Sequence, residues 1–137
     1  MTTLSPMVAT LNVAVGGAAG AALRYHVGRA MTGWLGAPAM TTFPFATLAV
    51  NALGGLLMGF LAGWLVRSGG SGQEEQLRLL LGVGLLGGFT TFSAFSLEMV
   101  MMIERGQYLF ATLYAVLSFS LGITGLMAGL ALMRFGA

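Results

Sequence analysis

Cysteine, lysine and aspartate are absent from this 137-residue chain, and histidine occurs once, at His26. Without cysteine there is no disulfide framework and no thiolate metal site, which sets aside redox chemistry and the common zinc centres. Only 7% of the residues are charged, all of them Arg or Glu, and a formal net charge of +2 is too thin for a nucleic-acid footprint. The sequence carries no nucleotide-binding motif. What it has in abundance is apolar or small: 57% hydrophobic residues, 22 Gly and 10 Met. So few charges cannot clothe a water-soluble surface, and the composition predicts an all-α protein embedded in a lipid bilayer.

Stretches with little or no charge mark the spans, because a helix needs roughly 20 apolar residues to cross the hydrocarbon core. Four stretches qualify, over 7–23, 43–66, 77–103 and 108–133. They predict a single transmembrane domain over 1–137 with helices near 7–28, 43–66, 76–103 and 107–134. The segment 24–42, with its Gly-Ala-Pro, reads as a loop, and so does 67–76, which contains Ser68-Gly69-Gly70-Ser71-Gly72. Glu104-Arg105-Gly106 reads as a tight turn. No soluble catalytic domain fits into such connections, so an enzyme is not expected. Residues 1–7 lack the basic flank and cleavage pattern of a signal peptide, and the first stretch is expected to remain as a helix.

Arg67, Arg78 and Arg134 fall on one side of these spans and Arg24, Arg29 and Arg105 on the other, so the usual excess of positive charge in cytoplasmic loops is missing. Two readings stay open. Either the chain inserts in both orientations and assembles as an antiparallel dimer, or a weak bias is decided by a feature the count misses. Many transporters are built from inverted repeats; no internal repeat is visible here, so a second copy would have to supply that symmetry. Small residues at four-residue spacing read as helix-packing seams: Gly16 and Gly20; Gly55, Gly59 and Gly63; Gly84 and Gly88; Gly125 and Gly129.

A lone amide or hydroxyl in hydrocarbon is costly unless paired or facing an aqueous path. Thr47 and Asn51, four apart, share a helix face and suit either an anion or an interhelical hydrogen bond. The third span carries Gly87-Gly88-Phe89-Thr90-Thr91-Phe92-Ser93-Ala94-Phe95-Ser96, poor helix-forming content that predicts a break at mid-membrane. Such a break turns carbonyl oxygens toward whatever fills the space, and oxygens alone favour a hard cation. Phe92 and Phe95, three apart, fit simple packing, or else present positive ring edges to a partly dehydrated anion. Tyr114 and Ser118 add further donors.

Arg24, at the expected end of the first span, either draws anions toward an opening or merely snorkels. Glu98 reads as a structural partner for an arginine in preference to a proton carrier. A proton-coupled carrier needs a carboxylate deep in the bundle and a metal transporter needs clustered His, Asp or Glu; neither pattern is present. Neutral donors without a fixed countercharge suit a small anion that must leave as readily as it arrives.

These residues resemble the Fluc, or CrcB, fluoride channels, small four-helix membrane proteins of bacteria and archaea. The resemblance rests on the 87–96 motif, on Asn51 followed by Gly54-Gly55, on Gly17 through Arg24-Tyr25, and on Tyr114 with Ser118, and it covers nearly the whole chain. It implies an antiparallel, dual-topology homodimer in the bacterial inner membrane with two pores, selective for fluoride over chloride. Residue by residue it makes Phe92 and Phe95 an aromatic ladder with Asn51 as a nearby amide donor, and Thr47, Tyr114 and Ser118 the polar side of the pore. It gives Arg24 a place in the vestibule and Glu98 a supporting contact.

It also implies a structural sodium ion on the dimer axis, held by the backbone carbonyls of Gly87 and Thr90 from each subunit. This chain departs from the pattern at Ala94, where many relatives have Thr, and at Gly122, where a further hydroxyl often follows Ser118. The implied task is the passive export of toxic fluoride. Hydrogen fluoride crosses bilayers neutral and is trapped as the anion in a more alkaline cytoplasm, and an interior-negative potential contributes about 2.3 kcal/mol per 100 mV to each exported anion. Two other classes differ in what they need. A small multidrug or cation exporter needs a carboxylate in its first helix, and 1–23 has none; a scaffold protein would tolerate change at Phe92 and Phe95.

Overall fold

The computed structural model describes residues 4–69 and 72–136. Gly70 and Ser71, from the connection expected over 67–76, lie outside them. The described residues are helical almost throughout: α1 (Pro6–Leu35), α2 (Ala37–Thr42), α3 (Phe45–Ser68), α4 (Gly72–Leu77), a π-helical stretch (Arg78–Leu86), α5 (Gly87–Phe89), α6 (Phe92–Glu104) and α7 (Tyr108–Phe135). Four helical segments are long and apolar enough to cross a membrane: Pro6–Leu35, Phe45–Ser68, Gly72–Glu104 and Tyr108–Phe135.

α1 begins at Ser5, whose hydroxyl accepts from the Val8 N–H at 3.4 Å, with Pro6 in the first turn where its missing N–H costs nothing. It then runs past Arg24 and Arg29 to Leu35. The first helix thus extends beyond 7–28, and most of the loop expected over 24–42 is helical, including Arg24 itself. The reason is that charge marks where a bilayer ends, not where a helix must. Nothing between Tyr25 and Leu35 stops the backbone until Gly36, whose φ of +86° admits glycine and turns the chain into α2. The expected turn at Glu104-Arg105-Gly106 is present as a Schellman cap. Gly106, at φ +72°, donates to the Ile103 carbonyl at 2.9 Å and Gln107 to the Met102 carbonyl at 2.9 Å.

Two glycine seams set the packing. On one, Gly16 and Gly20 of α1 lie against the Leu80 and Leu85 carbonyls of the π-helical stretch, and Gly88 of α5 faces the Gly17 carbonyl. On the other, Gly55 and Gly59 of α3 lie against the Gly122 and Leu126 carbonyls of α7, while Gly129 faces Leu56. At each point an added Cβ would collide with backbone. Gly59→Ala is therefore expected to lower stability in detergent by about 1–3 kcal/mol, read as a lower midpoint of thermal unfolding. Gly33→Ala, whose Cβ would meet nothing within 4 Å, is expected to leave that midpoint unchanged.

Much of the outer surface is apolar. Met7, Leu11, Val15, Leu109, Leu121 and Phe135 are all exposed, as lipid-facing side chains should be. A small aromatic core closes one end, where Phe43, between α2 and α3, packs edge-on to Tyr114 at 5.5 Å between ring centroids.

Candidate functional site

The third span breaks where the Gly-Gly-Phe-Thr-Thr motif sits. Thr90 (φ −77°, ψ 157°) and Thr91 (φ −152°, ψ 120°) are extended between α5 and α6. Extended backbone leaves polar groups to be satisfied by other means. Asn51 of α3 does part of this with both ends of its amide: its Nδ2 donates to the Thr91 carbonyl at 3.1 Å, and its Oδ1 accepts from the Thr91 N–H at 2.8 Å. The Thr91 hydroxyl then caps α6 by accepting from Ala94 N–H at 3.2 Å. Gly54, one turn after Asn51, leaves the space that the Thr90 methyl fills.

Those bonds have a consequence for the carbonyls expected to bind a cation. In a continuous helix the Gly87 carbonyl would accept from Thr91 N–H and the Thr90 carbonyl from Ala94 N–H. Both N–H groups donate to side chains instead. Gly87 and Thr90 are thus carbonyls of the break whose helical donors are engaged elsewhere. Neutral oxygens of this kind suit a hard, weakly charged cation, and no cluster of three His, Asp or Glu competes for a metal among the described residues.

The expected pore residues separate into two groups around Phe95. Asn51, Phe92, Phe95 and Ser118, together with Thr91 and Phe119, line a cavity of about 230 Å³. Phe92 is 73% exposed and its ring lies 5.8 Å from that of Phe95, which is 9% exposed. Phe119 meets Phe95 edge-on at 6.0 Å. The Ser118 hydroxyl is buried in this cavity's wall and has no hydrogen-bond partner among the described residues. An unpaired buried hydroxyl is costly, so a polar occupant of the cavity is the natural partner.

Thr47 and Tyr114 go elsewhere. Both donate to Glu98 on α6, Thr47 to Oε1 at 2.7 Å and the Tyr114 hydroxyl to Oε2 at 2.6 Å. Tyr114 is fully buried, its ring 5.0 Å from Phe95, which joins the two groups. Glu98 was expected to pair with an arginine; two hydroxyls from neighbouring helices hold it instead. Tyr114→Phe removes one of these donors and is expected to lower stability by about 1–3 kcal/mol, measured by thermal unfolding in detergent.

Arg24 lies within α1, not at its end, and lines a separate cavity of about 600 Å³ that also reaches Arg29, Thr47 and Thr91. Thr91 lines this cavity and the smaller one, so both border the helix break. Sequence reasoning missed Arg29, Thr91 as the group Asn51 holds, and Phe119. Only Phe119 left a trace, as the aromatic neighbour of Ser118.

A family model described as "CrcB-like protein, Camphor Resistance (CrcB)" matches residues 11–130. The chain belongs to this family. A protein of Erythrobacter litoralis named "Fluoride-specific ion channel FluC" is 65% identical over 137 residues, covering all of both chains. Proteins of the same name from Novosphingobium aromaticivorans and Phenylobacterium zucineum are 56% and 54% identical over 128 residues, 93% of this chain and 98% and 97% of theirs. With four apolar spans, this CrcB-like chain is a multi-pass membrane protein.

Proposed function

We propose that this CrcB-like protein is a fluoride-selective channel and not an enzyme, working as an antiparallel, dual-topology homodimer with two pores in the bacterial inner membrane. The observation that carries this reading is the unpaired, buried Ser118 hydroxyl in a cavity shared with Asn51, Phe92 and Phe95. The names of the relatives and the family membership support it.

Fluoride is small and tightly hydrated, so a path for it must replace water with several donors at once. Ser118 supplies an O–H. Asn51 spends one N–H of its amide on the Thr91 carbonyl and keeps a second for the cavity. The rings of Phe92 and Phe95 offer positive edges, which attract an anion without the grip of a fixed cation. Thr47 and Tyr114 extend the polar side through Glu98, whose two oxygens they hold. Transport is passive, outward from a cell whose interior is negative, and needs no coupling ion.

A structural sodium ion fits the Gly87 and Thr90 carbonyls, whose helical donors are occupied by Asn51 and Thr91 side chains. When bound between two copies of the break, it would supply positive charge that fixes the interface. Planar-bilayer recording tests the channel reading: with fluoride on one side and chloride on the other, the reversal potential is expected to follow the fluoride gradient. A potential set by chloride would overturn it.

A further inference from the structure

We propose that the large cavity at Arg24 and Arg29 binds a phosphate group, which stands at the mouth of the path and slows fluoride passage; the slowing rests on the channel reading, the binding does not. The cavity measures about 600 Å³, against the roughly 30 Å³ that one water occupies in the liquid, so its size is not set by a monatomic ion. Arg24, Tyr25 and Arg29 line it from α1, facing Thr47 and Thr91, and no carboxylate lies among its lining residues.

Neither guanidinium is hydrogen-bonded or ion-paired among the described residues. Arg67, Arg78 and Arg105, by contrast, each donate to an oxygen. Two threonine hydroxyls in the same wall are already spent as donors: Thr32 donates to the Gly28 carbonyl at 2.9 Å and Thr47 to Glu98. What faces the space is two unspent positive charges, each a planar fork of N–H donors. That fork fits two oxygens of one phosphate, which a halide does not have, and two such charges match a dianion. Because Thr91 also lines the smaller cavity, a group held here stands beside the cavity that holds Ser118.

The phosphate has two sources, free in water or on an anionic lipid, and the arms of one experiment separate them. Fluoride efflux is measured from phosphatidylcholine vesicles at constant ionic strength, with inorganic phosphate replacing chloride. It is measured again from vesicles containing phosphatidate. Slowing by millimolar inorganic phosphate identifies the free anion, and slowing only with phosphatidate identifies the lipid. In either arm Arg29→Gln is expected to raise the amount needed for half-inhibition about tenfold. No slowing in either arm, or equal slowing of wild type and Arg29→Gln, overturns the proposal.

Thermal unfolding of the detergent-purified protein with added inorganic phosphate, or phosphatidate, reads binding without flux. A rise in midpoint that Arg29→Gln abolishes supports the site even if the protein passes no fluoride, whereas an unchanged wild-type midpoint with both additives counts against it.

Discussion

Phe92→Ile is expected to abolish fluoride flux while leaving the assembled protein intact. The ring is 73% exposed within its own chain, so its loss opens no cavity in the fold, and Ile retains apolar bulk at the position. What disappears is a ring beside Phe95, 5.8 Å away, in the wall of the cavity that holds the Ser118 hydroxyl. An aliphatic side chain has no quadrupole and offers an anion no positive edge. A fall in flux of at least about a hundredfold is expected, equivalent to a barrier raised by about 2.7 kcal/mol. The checks are efflux from liposomes and, in parallel, elution volume on size exclusion. Unchanged flux would remove Phe92 from the path.

Asn51→Ala is expected to lower flux and stability together, because its amide holds the break in place. The substitution removes the 3.1 Å bond to the Thr91 carbonyl and the 2.8 Å bond to its N–H, leaving both backbone groups unpaired in a partly buried setting. At about 1–3 kcal/mol for each unsatisfied group, the expected loss is about 2–6 kcal/mol. Asn51→Asp separates the two roles. A carboxylate still accepts from Thr91 N–H, but it opposes the Thr91 carbonyl and puts a negative charge in the cavity wall. Asn51→Asp is thus expected to keep more stability than Asn51→Ala and to pass no fluoride, measured by thermal unfolding and liposome efflux on the same preparations.

The parts of this molecule that follow from local chemistry were legible in the sequence. Four apolar stretches gave the spans, the Gly-Gly and Thr-Thr pairs gave the interruption at Thr90 and Thr91, and Gly106 gave the turn before α7. Glycine spacing located the seams but not their partners, since the pattern on α1 does not say that it meets the π-helical stretch. The end of α1 was not legible, because residues 24–35 lose apolarity without losing helical competence, and charge was the only signal in use. The π-helical stretch left no signature at all.

At the site, sequence identified Asn51, Phe92, Phe95 and Ser118, which do share a cavity, but gave Asn51 only the role of a donor toward the pore. That its amide is clamped on Thr91, 40 positions away, depends on tertiary packing. The same holds for Thr47 and Tyr114: each looked like a donor awaiting an anion, and in the fold each meets the carboxylate of Glu98. Helical spacing shows which residues share a face, not what the neighbouring helix brings to it.

Fluoride efflux from liposomes bearing the purified protein, followed with an ion-selective electrode and paired with chloride as control, tests the channel reading most directly. Rapid release of fluoride with chloride retained is the expected result. Retention of both ions in sealed vesicles shown to contain folded protein, or release of both alike, would contradict it.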